Sequence, residues 1–202
     1  MLKVYGDVRS GNCYKVQLIC ALLNLEYEWF DIDLVKKETK TFEFLAINPV
    51  GQVPVLQVDD KILLESNAIM DYLATNSKFI PTDKFAYAQM LQWQFYEQAL
   101  FRGNVGAIRW IKQFESNPEP RQQEYQDKLL ITIKQFEYLE NYLTQHNFLV
   151  GESVTLADIT LFAYAHVADQ GGIDFDKYPH VVNWLNRIKS LPNFLPMQLG
   201  DK

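Results

Sequence analysis

Apolar and polar positions change rhythm once along the chain, across residues 75–83, and the stretches on either side predict different architectures. In the first stretch Leu2–Tyr5 reads as a strand closed by Gly6 and Asp7. Residues 13–25 then carry Val16, Ile19, Leu22, Leu23 and Leu25 at the spacing of an amphipathic helix. Glu28–Leu34, rich in aromatic and β-branched residues, predicts a second strand, and residues 38–46 a short helix. Val53–Val58 and Lys61–Leu64 flank Asp59-Asp60, a two-residue turn that makes them an antiparallel hairpin. Residues 66–75 return to helical spacing through Ile69, Met70, Tyr72 and Leu73. Strand, helix, strand, helix, hairpin, helix is the order of an α/β unit with one mixed four-stranded sheet and helices packed on it.

The segment Thr75–Asp83 is polar, contains Pro81 and reads as a linker. Beyond it no strand pattern appears. Residues 84–114 predict a long helix broken or bent near Gly103 and Gly106, and residues 121–146 a second, with Leu129, Ile133, Phe136, Leu139, Tyr142 and Leu143 on one face. Thr155 and Asp158 form a capping box between Val154 and Ile159, which staple the start of another helix. A last helix is expected from about Tyr178 to Leu191, with Pro179 in its first turn. The expected division is therefore 1–77, α/β, and 84–202, all helical.

Composition narrows the function. Nineteen basic and twenty-five acidic side chains in 202 residues give a net charge of −6, without a Lys/Arg block. Such a chain is poorly suited to a phosphate backbone, so no nucleic-acid partner is expected. The apolar run Val16–Leu25 contains Gln17 and Asn24 and is too short to span a bilayer. With an N-terminal stretch unlike a secretory signal, no membrane association and a cytoplasmic location are expected. Cys13 and Cys20, if on one helix, stand about 10 Å apart, too far for a disulfide. His146, His166 and His180 show no metal-ligand spacing, and no metal is expected.

Three local motifs carry chemistry. Ser10-Gly11-Asn12-Cys13 opens the first helix, where a hydroxyl, free backbone amides and the positive end of the dipole favour an anion; the simpler reading is a helix cap. Asn48-Pro49-Val50-Gly51-Gln52-Val53-Pro54 precedes the hairpin. With a cis Val53–Pro54 bond, the Val53 backbone becomes a short free edge to which an extended peptide can add, and otherwise the segment is a rigid turn. Glu65-Ser66-Asn67 opens the next helix, with amides and a hydroxyl for a carboxylate and Glu65 for an ammonium, or again a plain capping arrangement.

In this order and spacing the three motifs, with Thr155-x-x-Asp158 and the closing Tyr178-Pro179, Trp184 and Pro192, resemble the cytosolic glutathione transferases over essentially the whole chain. The Ser-bearing first turn is most similar to bacterial and theta-like members. The resemblance implies a thioredoxin-like N-terminal domain, an all-helical C-terminal domain, glutathione as co-substrate and a homodimer. It implies Ser10 or Asn12 as the group that stabilises the glutathione thiolate, with Cys13 off the family's nucleophile register. Glu65 and Ser66 would hold the γ-glutamyl end, Val53 and Pro54 the cysteinyl backbone, with Gln52 and Lys40 beside them. Phe101, Arg102, Arg109 and Trp110 would face a small hydrophobic electrophile. The implied activity is attack of the thiolate on that electrophile, the chemistry of detoxification. Two alternatives stand beside it: a non-catalytic ligand-binding or adaptor module of the same fold, and a glutathione-dependent thiol reductase or peroxidase using Cys13.

Overall fold

The computed structural model describes residues 1–198 and divides into two compact units. One is Met1–Ser77 with the described residues from Pro192 on; the other is Lys78–Leu191.

The first unit holds strands β1 (Leu2–Gly6), β2 (Glu28–Asp31), β3 (Val55–Val58) and β4 (Lys61–Leu63), and helices α1 (Gly11–Leu22), α2 (Phe42–Ile47) and α3 (Ser66–Leu73). The sheet order is β2-β1-β3-β4. β1 runs parallel to β2, antiparallel to β3, and β3 antiparallel to β4, so the mixed sheet predicted from the element order forms. Its core joins Val4 of β1, Val16 and Cys20 of α1, Leu56 of β3 and Ile69 of α3, all without exposed surface. α1 departs from the amphipathic pattern, because every residue from Cys13 to Cys20 is buried, Lys15 and Gln17 included. The C-terminal segment, expected with the helical unit, returns to this one: the Tyr14 hydroxyl of α1 donates to the Leu195 carbonyl at 2.6 Å.

The second unit is helical throughout its described residues: α4 (Lys84–Tyr96), α5 (Arg102–Gln113), α6 (Gln122–Leu143), α7 (Leu156–Ala165) and α8 (Pro179–Lys189), with short 3-10 turns between some of them. The polar linker already contributes to this core, since Phe79 is buried and its carbonyl accepts from Leu156 N at 3.0 Å. The interruption expected at Gly103 and Gly106 lies earlier, in a π turn over Glu97–Phe101. The widened turn bonds Arg102 N to the Glu97 carbonyl, and two side chains meet the Leu100 carbonyl within it. Asn104 Nδ2 at 2.6 Å and Gln135 Nε2 at 2.9 Å both donate to that carbonyl. α5 then runs unbroken through both glycines; a Cβ on Gly106 would meet Tyr164 Cε1 at 3.0 Å, so that glycine allows close approach of α7.

α7 begins as predicted. Asp158 is fully buried and reaches back to Thr155 N at 2.8 Å, and Val154 and Ile159 are both buried beside the turn. It also accepts from Leu149 N at 2.8 Å and from Trp184 Nε1 at 3.0 Å, joining the loop before α7 to α8. Burial raises its carboxyl pKa and these donors oppose that rise. Asp158→Ala strands three buried N–H donors at a cost of at least about 3 kcal/mol. Urea unfolding should show this as a lower midpoint at unchanged slope.

Candidate glutathione site

Sheet register gathers the candidate residues. Gly6 pairs with Asp31, so the segments leaving β1 and β2 emerge at the same end of the sheet. Tyr5 pairs with Val55, so the segment entering β3 starts there too. Leu56 pairs with Leu63, which brings the exit of β4 and the start of α3 to that end as well. Residues 7–13, 32–40, 51–54 and 64–66 are thereby neighbours at one edge, although they span more than fifty positions of chain.

Ser10 is the N-cap of α1: its backbone is extended and its Oγ accepts from Cys13 N at a long 3.4 Å. The capping reading is thus realised, and it uses the oxygen as acceptor. Asn12, in the first turn of α1, accepts from Ser66 Oγ through Oδ1 at 3.2 Å. With Oδ1 engaged, Nδ2 is what Asn12 has left to donate. The start of α1 and the start of α3 are therefore tied side chain to side chain.

The Val53–Pro54 bond is cis, and the ladder of β3 begins only at Val55, which leaves the Val53 backbone outside it. The loop before it is braced. Asn48 Nδ2 donates to the Gln52 carbonyl at 2.7 Å, and Lys40 Nζ to the Gly51 carbonyl at 3.0 Å. Lys40 thus stands against this loop, and the Gln52 side chain is exposed beside Val53. Gly51 has φ +65°, and a Cβ there would meet Lys40 Nζ at 2.6 Å and Thr39 O at 2.8 Å. Only glycine fits.

Glu65 is exposed and caps α3 from a backbone conformation of φ 67° and ψ 113°. A non-glycine residue held there costs on the order of 1–3 kcal/mol, and such outliers cluster at ligand clamps. Ser66 beneath it is buried. The arrangement offers an exposed carboxylate for a cation and the backbone amides of a helix N-terminus for an anion.

Two features escaped the sequence pattern. Arg9 donates through Nε and Nη2 to Asp7 at 2.8 and 2.7 Å, and through Nη2 to Asp33 Oδ1 at 2.7 Å. Asp7, itself buried, also accepts from Leu34 N at 2.9 Å, so the loop that delivers Ser10 is clamped to the loop after β2. Lys15, fully buried on α1, places Nζ 3.5 Å from Ser66 Oγ. A lysine inside an otherwise apolar run was the available signal for the second feature; nothing local marks the first.

Cys13 is fully buried, and loss of solvation pushes its thiol up to about 12 despite hydrogen bonds from Ser10 and the Asp7 backbone. Burial thus disfavours the thiolate form that a nucleophilic cysteine needs. Burial of the thiol weighs against the Cys13-dependent reductase or peroxidase. Cys13 and Cys20 are both free thiols.

The electrophile-facing residues of the helical unit divide. Phe101 is wholly buried and stacks on Phe136 at 5.8 Å between centroids, which makes it core and corrects its expected exposure. Arg109 is also buried, donating to Gln170 Oε1 at 2.7 Å and lying over Phe114, so it braces the unit from within. Arg102 and Trp110 keep exposed surface. Among the described residues no group of three or more His, Cys, Asp or Glu is placed to hold a metal ion, and no helix is long and apolar enough to cross a membrane.

The family descriptions "Glutathione S-transferase, N-terminal domain" and "Glutathione S-transferase, C-terminal domain" match residues 1–75 and 93–192. The chain belongs to the glutathione S-transferase family. A glutathione S-transferase from Pseudomonas fluorescens is 44% identical in sequence, with a TM-score of 0.94 over 97% of this chain and 98% of that one. A probable glutathione S-transferase of Oryza sativa subsp. japonica is 29% identical over 95% of this chain and 93% of its own length. Elongation factor 1-gamma 2 of the same plant is also 29% identical over 99% of this chain, which spans 49% of that longer protein. The transferase fold is thus also built into proteins of another name.

The Asp7–Arg9–Asp33 clamp has a pH signature. Hydrogen bonding to Arg9 holds the Asp33 carboxyl down to about 2, against about 3.9 in an unfolded chain. Its stabilisation is complete above about pH 4 and is lost as pH falls toward 2. Arg9→Gln should cost on the order of 3 kcal/mol at neutral pH by leaving Asp7 buried without its cation. Urea midpoints of the variant should also fall less steeply than wild type between pH 4 and pH 2.

Proposed function

We propose that this chain is a glutathione transferase whose first unit binds glutathione and ionises its thiol for attack on a small hydrophobic electrophile. The observation that carries the reading is the convergence, by sheet register, of the Ser10–Asn12 turn, the Val53 edge beside cis-Pro54 and the Glu65–Ser66 helix start. Each offers what one portion of the tripeptide needs. Ser66 and the α3 amides suit the γ-glutamyl carboxylate, and Glu65 its ammonium. The Val53 N–H and C=O suit the cysteinyl backbone as an added strand. Gln52, on the braced loop, and Lys40, which braces it, suit the remaining polar ends. The thiol then falls to the start of α1, where the Ser10 hydroxyl and the Asn12 amide donate to the sulfur and favour its anion. Arg102 and Trp110 are the members of the electrophile set retained in this reading.

Ser10→Ala tests it. One hydrogen bond to a charged acceptor contributes about 1.5–3 kcal/mol, so the bound thiol pKa should rise by about one to two units. Turnover near neutral pH should fall correspondingly, while loss of the cap lowers stability by only about 1 kcal/mol. Unchanged turnover would reject Ser10 as the activating group.

A second reading, a module that binds glutathione or assembles with partners without conjugation, draws support from the likeness to an elongation-factor subunit. Calorimetric binding of glutathione with no conjugation across an electrophile panel would favour it. Absence of binding would remove the transferase reading.

Homodimerisation belongs to the same proposal. Phe95 at 70% exposure and Leu130 at 62%, on α4 and α6 of the helical unit, supply apolar surface suited to burial against a second copy. Light scattering at micromolar concentration should give about twice the 23.6 kDa chain mass.

A further inference from the structure

The geometry points to Lys15 as a positioning residue for thiol ionisation, acting through Ser66 and Asn12; this rests on the glutathione-transferase reading above. A lysine side chain with no exposed surface is rare, since an ammonium loses its hydration there and must be held by oriented oxygens. Lys15 lies among buried neighbours on α1, with Nζ 3.5 Å from Ser66 Oγ. At that distance the interaction is mainly charge on dipole. Its direction is given by the contact, in which Lys15 Nζ donates and the Ser66 oxygen accepts.

That orientation turns the Ser66 proton away from Lys15, and the structure has it donating to Asn12 Oδ1 at 3.2 Å. Accepting through Oδ1 in turn fixes which way the Asn12 amide points, so that Nδ2 is the end left to donate at the start of α1. The chain of polarity therefore runs from the Lys15 ammonium, through the Ser66 hydroxyl, to the donor face that the thiolate meets. Reversal at either step would present an oxygen to the sulfur anion and repel it. The same two contacts link the residue assigned to the γ-glutamyl carboxylate with a residue assigned to the sulfur. Seating of the carboxylate at the Ser66 backbone amide and ionisation of the thiol thus meet at one residue. No proton is transferred along the two contacts; Lys15 orients and polarises.

The experiment measures the pKa of the glutathione thiol bound to each protein, from the ultraviolet absorbance of the thiolate against pH, with calorimetric affinity for glutathione beside it. Lys15→Met keeps the length and removes the donors. The expected result is a folded variant whose bound thiol titrates at least about half a unit above wild type, with glutathione affinity down severalfold. A folded variant with the wild-type bound-thiol pKa overturns the inference, whether or not its affinity falls, because Lys15 would then serve only binding or packing. If Lys15→Met does not fold, Ser66→Ala decides. A relay through Ser66 raises the bound-thiol pKa in that variant as well, whereas a Ser66 that only holds the carboxylate weakens binding and leaves the pKa in place. Wild-type protein that binds no glutathione overturns the functional reading itself, an outcome distinct from wild-type binding with an indifferent Lys15.

Discussion

The pairing of β1 with both β2 and β3 is the constraint from which the rest of the first unit follows. β1 ends where β3 begins, because Tyr5 faces Val55 in an antiparallel ladder, and it ends beside the end of β2, because Gly6 faces Asp31 in a parallel one. A slip of one residue in either ladder would send Val4 and Leu56 out of the core and separate the loops that carry the polar groups. The core therefore fixes the site: burial of a few apolar side chains around Val4 decides where Ser10, Val53 and Ser66 can stand. Local devices refine that placement. The Arg9 clamp holds the loop before α1, Lys40 braces the loop before β3, and the left-handed backbone at Glu65 starts α3 sharply after the hairpin.

What was legible in the sequence is what short-range chemistry writes down. The hairpin around Asp59-Asp60, the capping box of Thr155 and Asp158, the cap at Ser10 and the start of α3 after Glu65 each depend on residues within a few positions of one another, so their composition is diagnostic. The clamp and the relay are different in kind. Arg9 meets Asp33 across 24 positions and Lys15 meets Ser66 across 51, and both contacts exist only once the sheet has formed. The apolar spacing of α1 also misleads in one respect. It predicts one buried stripe, yet the helix is buried on all sides from Cys13 to Cys20, which is what converts Lys15 from a solvated charge into a structural one.

In the helical unit the bend was expected at glycine, on propensity, and lies instead at Glu97–Phe101. Glycine weakens a helix but does not by itself interrupt one. Side-chain partners accompany this interruption, since Asn104 and Gln135 both donate to the Leu100 carbonyl within the π turn. Two of the four electrophile-facing residues divide off for a related reason: aromatic and cationic residues on one helix suggest a wall, but Phe101 and Arg109 are drawn into packing with Phe136 and Gln170.

The proposed chemistry also explains why positioning should matter more than acidity. Lowering a thiol from a pKa near 8.5 by two units raises the thiolate at neutral pH from about 3% to roughly 75%, and takes about 2.7 kcal/mol. The more stable thiolate is a poorer nucleophile, by about eightfold at a Brønsted slope near 0.45. The net gain from ionisation alone is only about threefold. Most of any rate enhancement must therefore come from holding sulfur and electrophile in reacting geometry. A site built from four chain segments locked by one sheet register, with its donor polarity set from a buried cation, is suited to that task. Each brace removes a way for the sulfur to drift, and the strain at Glu65 is tolerated because the surrounding ladder over-determines it.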